Sequence, residues 1–176
     1  MNVVQELAAR TLLVILAAAV VQDFMYMKIS NRLILMGILF SLAFGFMTGG
    51  LRQVLYVLVN ISFPVFVLYL FYLLGVLGAG DIKLFSIIGG FTNFKLLTGC
   101  MFYSFVAAAV IAVGKMLYNR NLRISVFKAG IFFRSIPREG LVSYHKEWAE
   151  RRNLMHFSVP ILIGYMVAVL HWKLYR

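Results

Sequence analysis

The sequence predicts an all-α, polytopic membrane protein: a bundle of six transmembrane helices with the N-terminus outside. Three observations carry that prediction. The 176 residues are 62% hydrophobic and only 13% charged, with a mean hydropathy of +0.91, whereas soluble domains are about 45–50% apolar and about 25% charged. The apolar residues fall into long runs separated by short polar patches, and the basic residues sit between the runs with a strong bias to one side. The length suits one membrane-embedded domain over residues 1–176.

A bilayer core needs about 20 apolar residues per helix, within a range of about 17–25. The first run is about Val4–Gln22, closed by Asp23. Its stretch Thr11–Val21, with Ala18-Ala19, resembles the apolar part of a secretory signal. Glu6 beside Arg10 removes the net positive lead such signals carry, so it reads as a retained span. The second run, Leu33–Thr48, ends at Gly49-Gly50, and the third, Val54–Leu77, contains Pro64 as an expected kink. The fourth begins after Asp81 and reaches Gly89-Gly90-Phe91. The fifth is Leu96–Tyr118 and the last Phe157–Trp172.

The fourth run is short. Joined to the fifth it would make one helix from Leu84 to Tyr118, too long for a simple span and with Lys95 deep in lipid. Gly89-Gly90-Phe91-Thr92-Asn93 reads instead as a turn, because paired glycines and asparagine favour chain reversal. Six spans then put the basic segment at about 119–156 on the same side as Lys28, Arg32 and Lys83. Positive charge is retained on the cytoplasmic side. With that side inside, twelve of the seventeen Lys and Arg residues are cytoplasmic. Within the segment, Ile124–Ile136 has the mixed pattern of an interfacial amphipathic helix or a substrate-docking arm.

The formal charge of +11 does not indicate nucleic acid, because the basic residues flank apolar runs and no basic–aromatic recognition module is present. Membrane lipid headgroups are the expected partners of that charge. One cysteine, Cys100, lies inside an apolar run, where it forms no internal disulfide and reads as a packing residue. No metal site and no cofactor is expected.

The chain contains two aspartates, Asp23 and Asp81. Six-span topology puts both at the cytoplasmic face on different helices. Ionisable groups at membrane depth are expensive and are functional candidates by default; the plain alternative is two helix-end residues. Around Asp81 the segment Gly78-Ala79-Gly80-Asp81 argues against a simple helix end, since two glycines free the backbone and admit a close neighbour. Two adjacent carboxylates do not readily both ionise, so one keeps its proton. The ionised one activates water and the protonated one polarises a peptide carbonyl, then protonates the leaving amine. The competing use of such a pair is ion or proton transport.

Gly78-Ala79-Gly80-Asp81-Ile82-Lys83-Leu84 resembles the G-x-G-D-x-K motif of type IV prepilin peptidases, which are intramembrane aspartic proteases. Asp23-Phe24-Met25-Tyr26-Met27-Lys28-Ile29-Ser30-Asn31 resembles their D-x5-I-P-N motif, and Phe157-Ser158-Val159-Pro160 looks like their entry into the final span. The resemblance implies an aspartic endopeptidase of the inner (cytoplasmic) membrane, with Asp23 and Asp81 catalytic. It would cleave the basic leader of prepilin-like protein substrates at the cytoplasmic face. Asn31, Gly78, Gly80 and Lys83 come over as motif or substrate-region residues.

Two departures stand out. Ser30 occupies the usual proline position, where it can cap the following helix while leaving the loop less rigid. There is no set of four cysteines and no long N-terminal cytoplasmic loop, as in the larger enzymes that also methylate the new N-terminus. The chain therefore resembles the short form of tight-adherence (Flp) pilus systems, with methyltransferase activity not expected; archaeal preflagellin peptidases share these motifs. Presenilin-like proteases share G-x-G-D, but Gln22, not tyrosine, precedes Asp23. A non-catalytic assembly factor is the third reading. Because leaders and the 119–156 segment are both basic, docking one on the other would be repulsive. The leader is expected at lipid headgroups or the carboxylates, with the substrate's apolar helix among the spans.

Overall fold

The computed structural model describes residues 3–74, 77–118 and 157–174, and every regular element among them is a helix. These are α1 (Val3–Tyr26), α2 (Asn31–Leu73), α3 (Ala79–Phe91), α4 (Phe94–Tyr118) and α5 (Ser158–Leu174). The basic segment at 119–156, with the expected amphipathic stretch Ile124–Ile136, lies outside the described residues. The chain divides into two units, Met1–Val106 with His156–Arg176, and Ala107–Met155. The described part of the second is the latter half of α4. All packing below belongs to the first.

The helix α2 is 43 residues long, about 65 Å if straight and twice the thickness of a bilayer core of about 30 Å. It is not straight. Gly49 (φ −157°, ψ 20°) and Gly50 (φ 61°, ψ −149°) leave helical dihedrals, and the Gly50 conformation is essentially reserved for glycine. Gly45 and Val57 would be about 18 Å apart along a continuous helix. Yet a Cβ built on Gly45 would lie 3.0 Å from Val57 Cγ2. The chain therefore doubles back between residues 31–48 and 51–73, as the sequence expects. The expected kink at Pro64 does not take the backbone out of helical dihedrals; within α2, only Gly49 and Gly50 do that.

At the centre lies α3, 13 residues long, with Leu84, Phe85, Ile87 and Ile88 buried. A helix apolar all round is one that neighbours surround. Gly37 on the outgoing half of α2 faces Ile87, and a Cβ on Gly90 would meet both Ser41 Oγ at 2.5 Å and Ile61 Cγ1 at 3.3 Å. Both halves of α2 thus clasp α3. Here the sequence reading needs correction. Gly89 and Gly90 are not a turn; α3 continues through them to Phe91, and the reversal is confined to Thr92 and Asn93. The physical reason is packing, since small residues let helix backbones approach closely. Pro64 has no N–H for the carbonyl of Asn60, four residues before it. Against that oxygen sits Gly89, where a Cβ would collide.

The turn itself is tied down by polar contacts. Asn60 Nδ2 donates to Thr92 O at 3.1 Å, and Asn93 Oδ1 accepts from Leu96 N at 2.8 Å to cap α4. Further boundaries shift: α1 runs one turn past Asp23 to Tyr26, the third run ends at Leu73 and not Leu77, α3 starts at Ala79 and so includes Asp81, and α5 ends at Leu174. Three described helices, α1, α2 and α4, have the length and apolar composition to cross a membrane. The fourth run is helical but, at about 20 Å, falls short of that length, and α5 is an apolar helix of 17 residues.

The contacts fix alternating helix directions in the first unit. The C-terminal turn of α1 meets the start of α5 through Asp23 and Ser158. At the opposite end, Lys95 at the start of α4 sits over the ring of Trp172 near the end of α5, 5.2 Å from its centroid. Phe105 bridges Phe71, Phe85 and Phe157, with centroids 5.7, 6.5 and 5.8 Å away. These four rings, from α2, α3, α4 and the approach to α5, form an aromatic layer at the aspartate end.

Candidate active site

The first aspartate is held where α1 terminates. Asp23 O accepts the Met27 N–H at 2.9 Å, and Met27 then takes a left-handed φ of 51°. Non-glycine residues rarely adopt that region, and here it stops the helix and turns the chain. The Asp23 carboxylate is half-buried. Ser158 Oγ, itself 1% exposed, donates to Asp23 Oδ2 at 2.6 Å. Ser158 opens α5, and Pro160 in that first turn removes an N–H that would have had no partner within the helix.

The second aspartate begins a helix. Gly78 (φ −76°, ψ 151°) is the N-cap of α3 and Asp81 its third residue. Asp81 Oδ2 accepts the Gly78 N–H at 3.2 Å, while Gly78 O accepts the Asp81 N–H at 3.1 Å. This is the carboxylate half of a capping box, and it lies at the helix end whose exposed N–H groups favour negative charge. The glycines are not used for unusual dihedrals. Gly78 leaves room for the carboxylate, since a Cβ there would lie 3.1 Å from Asp81 Oδ2. Gly80 rests on Ile29, 3.4 Å from where its Cβ would be.

The two motifs are joined twice, by that Gly80–Ile29 contact and by Lys83 Nζ, which donates to Asn31 Oδ1 at 2.9 Å. Asp23 and Asp81 come within electrostatic range of each other. The structure therefore brings Asp23, Asn31, Gly78, Gly80, Asp81 and Lys83 to one end of the helix cluster.

Two residues at this end escaped the sequence reading as site members. Ser158 was visible only as part of the final-span entry, although a hydroxyl two residues before a proline at the mouth of an apolar run is a usable signal. Gln22 was noted only for what it is not. Its Oε1 accepts the Ser30 N–H at 3.0 Å, while Ser30 Oγ accepts from Leu33 N at 3.3 Å to cap α2. The loosened loop expected from Ser30 is thus pinned: a proline has no N–H to give Gln22.

Among the described residues every regular element is a helix, three of these are apolar and of membrane length, and two carboxylates lie at one end of the cluster, which defines a membrane protein with a candidate acidic centre. The sequence profile of the type IV leader peptidase family matches residues 11–113, and the chain belongs to that family. At the level of the family, this is an aspartic-type peptidase. The match covers Asp23, Asn31, Gly78, Gly80, Asp81 and Lys83 and ends before α5. Comparison with curated proteins and with solved structures finds no match.

Proposed function

We propose that the protein removes the basic leader from a prepilin-like substrate at the cytoplasmic membrane face, using Asp23 and Asp81 as its catalytic pair. The observation that carries this is the convergence of two carboxylates from α1 and α3 at one end of the cluster, within electrostatic range. In a shared-proton pair the ionised carboxylate takes a proton from water as it attacks the scissile carbonyl. The protonated carboxyl hydrogen-bonds the carbonyl oxygen. When the tetrahedral intermediate collapses, the protonated carboxyl gives its proton to the leaving amine, and the carboxylate that took the water proton becomes the protonated member. Peptide cleavage consumes one water, and the pair is restored when its remaining proton is shared again.

The membrane arrangement belongs to the same reading. Six crossings with the N-terminus outside count the two halves of α2 separately and put the aspartates inside with twelve of the seventeen basic residues. In this arrangement α3 need not meet lipid at full bilayer thickness, because α1, both halves of α2 and α5 surround it. A basic leader is attracted to the acidic pair and to lipid headgroups, and the substrate's apolar helix lies among the spans. With a single cysteine, the protein acts as a peptidase without methyl transfer.

The test is co-expression of a prepilin-like substrate with the wild type, Asp23→Ala and Asp81→Ala, read by the mobility of the substrate on immunoblots. Leader loss is expected with the wild type alone. Cleavage that persists in both variants at equal expression sinks the proposal.

A further inference from the structure

We propose that Ser158 is a positioning residue that holds the Asp23 carboxylate in its working orientation, so that α5 completes a site whose acids come from α1 and α3. This rests on the reading of Asp23 as half of the catalytic pair. The geometry is specific. Ser158 is 1% exposed, and its Oγ lies 2.6 Å from Asp23 Oδ2, a contact between residues 135 apart in sequence. An O–H donor to a carboxylate at that distance is a charge-assisted bond, among the stronger hydrogen bonds a protein makes.

The consequence follows from the freedom each carboxylate has. Asp81 Oδ2 is fixed by the Gly78 N–H within its own helix turn. Asp23 lies in the last turn of α1. Ser158 supplies the corresponding anchor from outside, on a helix start that the buried Pro160 and Ile161 root in the core. Each member of the pair then has one oxygen held by a protein donor. The serine hydroxyl is not required to touch substrate; it acts through Asp23.

The chemistry predicts an order of variants that packing alone would reverse. Ser158→Ala loses the donor and fits the space. Ser158→Thr keeps the donor and adds a methyl group at a fully buried position. In purified, membrane-reconstituted full-length protein, Ser158→Ala is expected to lower kcat about ten- to a hundredfold with KM little changed. Ser158→Thr should recover most of that loss. Ser158→Cys, which keeps the shape and weakens the donor, should resemble Ser158→Ala. Wild-type kcat in Ser158→Ala or in Ser158→Cys overturns the proposal, as does Ser158→Thr being the poorer enzyme.

A second readout does not depend on turnover. The infrared carboxylate bands should shift between wild type and Ser158→Ala, and the shift should vanish when Asp23→Asn is already present. A shift that persists in the Asp23→Asn background, or none in either, also overturns it. The parent reading fails separately: activity retained by Asp23→Asn would remove the catalytic pair itself. Inactive Asp23→Asn with fully active Ser158→Ala would remove only the role of Ser158.

Discussion

Lys83 Nζ donates a hydrogen bond to Asn31 Oδ1 at 2.9 Å, linking the start of α2 to the first turns of α3 across 52 residues of sequence. With the Gly80–Ile29 contact, it ties together the two segments that carry the aspartates. Both side chains are exposed, so solvent competes for the bond and its strength is modest. A double-mutant cycle of Asn31→Ala and Lys83→Met, measured by unfolding in mild detergent, should give a coupling of about 0.5–1 kcal/mol. Strict additivity of the two changes would mean that the link contributes nothing.

Ser30 offers a second test, because its backbone already has the proline-compatible φ of −69°. Ser30→Pro would reduce the freedom of the unfolded chain, worth about 0.4–1 kcal/mol, but would lose the Gln22 bond and the hydroxyl cap, the latter worth about 1 kcal/mol. The expected outcome is a near balance, with stability within about 1 kcal/mol of wild type. Ser30→Ala also loses the cap but keeps the N–H that Gln22 accepts, so the two variants should lie within about 1 kcal/mol of each other. A thermal-melt series that puts Ser30→Pro well above Ser30→Ala would mean that the Gln22 bond contributes nothing.

The glycines separate into two groups. A Cβ at Gly89 would collide with the Asn60 carbonyl, and one at Gly164 with Ser104, whereas Gly99 has open space around it. Gly89→Ala and Gly164→Ala should each destabilise the protein by more than about 3 kcal/mol, as overpacking against backbone does. Gly99→Ala should stabilise it by up to about 1 kcal/mol through helix propensity. Equal melting temperatures for Gly89→Ala and Gly99→Ala would show that the α2–α3 contact is not tight.

These positions also mark what could be read from the sequence. The apolar runs located every described helix, and Gly49-Gly50 was legible as a chain reversal because the pair separates two apolar runs that together are too long for one span. Gly89-Gly90 carries the same local signal with the opposite meaning. Only the presence of Asn60 and Ser41 on α2 decides that these glycines are helical contact points, and no local pattern encodes that. Asp23, Asp81 and their motif neighbours were legible through spacing. Ser158 was hidden for the same reason as Gly89: its role is set by a partner 135 residues away. Gln22 was hidden because a glutamine beside an aspartate at a helix end carries no pattern that names Ser30 as its acceptor's donor.

The basic segment at 119–156 leads to a prediction on charge alone. It holds Arg120, Arg123, Arg134 and Arg138 among others, and like charges across a contact disfavour docking. Reversing these four arginines to glutamate should leave cleavage of a basic-leader substrate within a fewfold of wild type, provided topology and expression are intact. A large fall in cleavage would assign the leader to this segment instead.

The central claim is that Asp23 and Asp81 act as one catalytic pair, and substitution by asparagine tests it most directly because shape is kept while ionisation is removed. The measurement is the rate of leader removal by purified protein in lipid nanodiscs, with the product identified by mass spectrometry. Wild type should cleave, and Asp23→Asn and Asp81→Asn should each be slower by about a thousandfold or more. Wild-type cleavage by either variant, with the fold and membrane insertion preserved, would contradict the account.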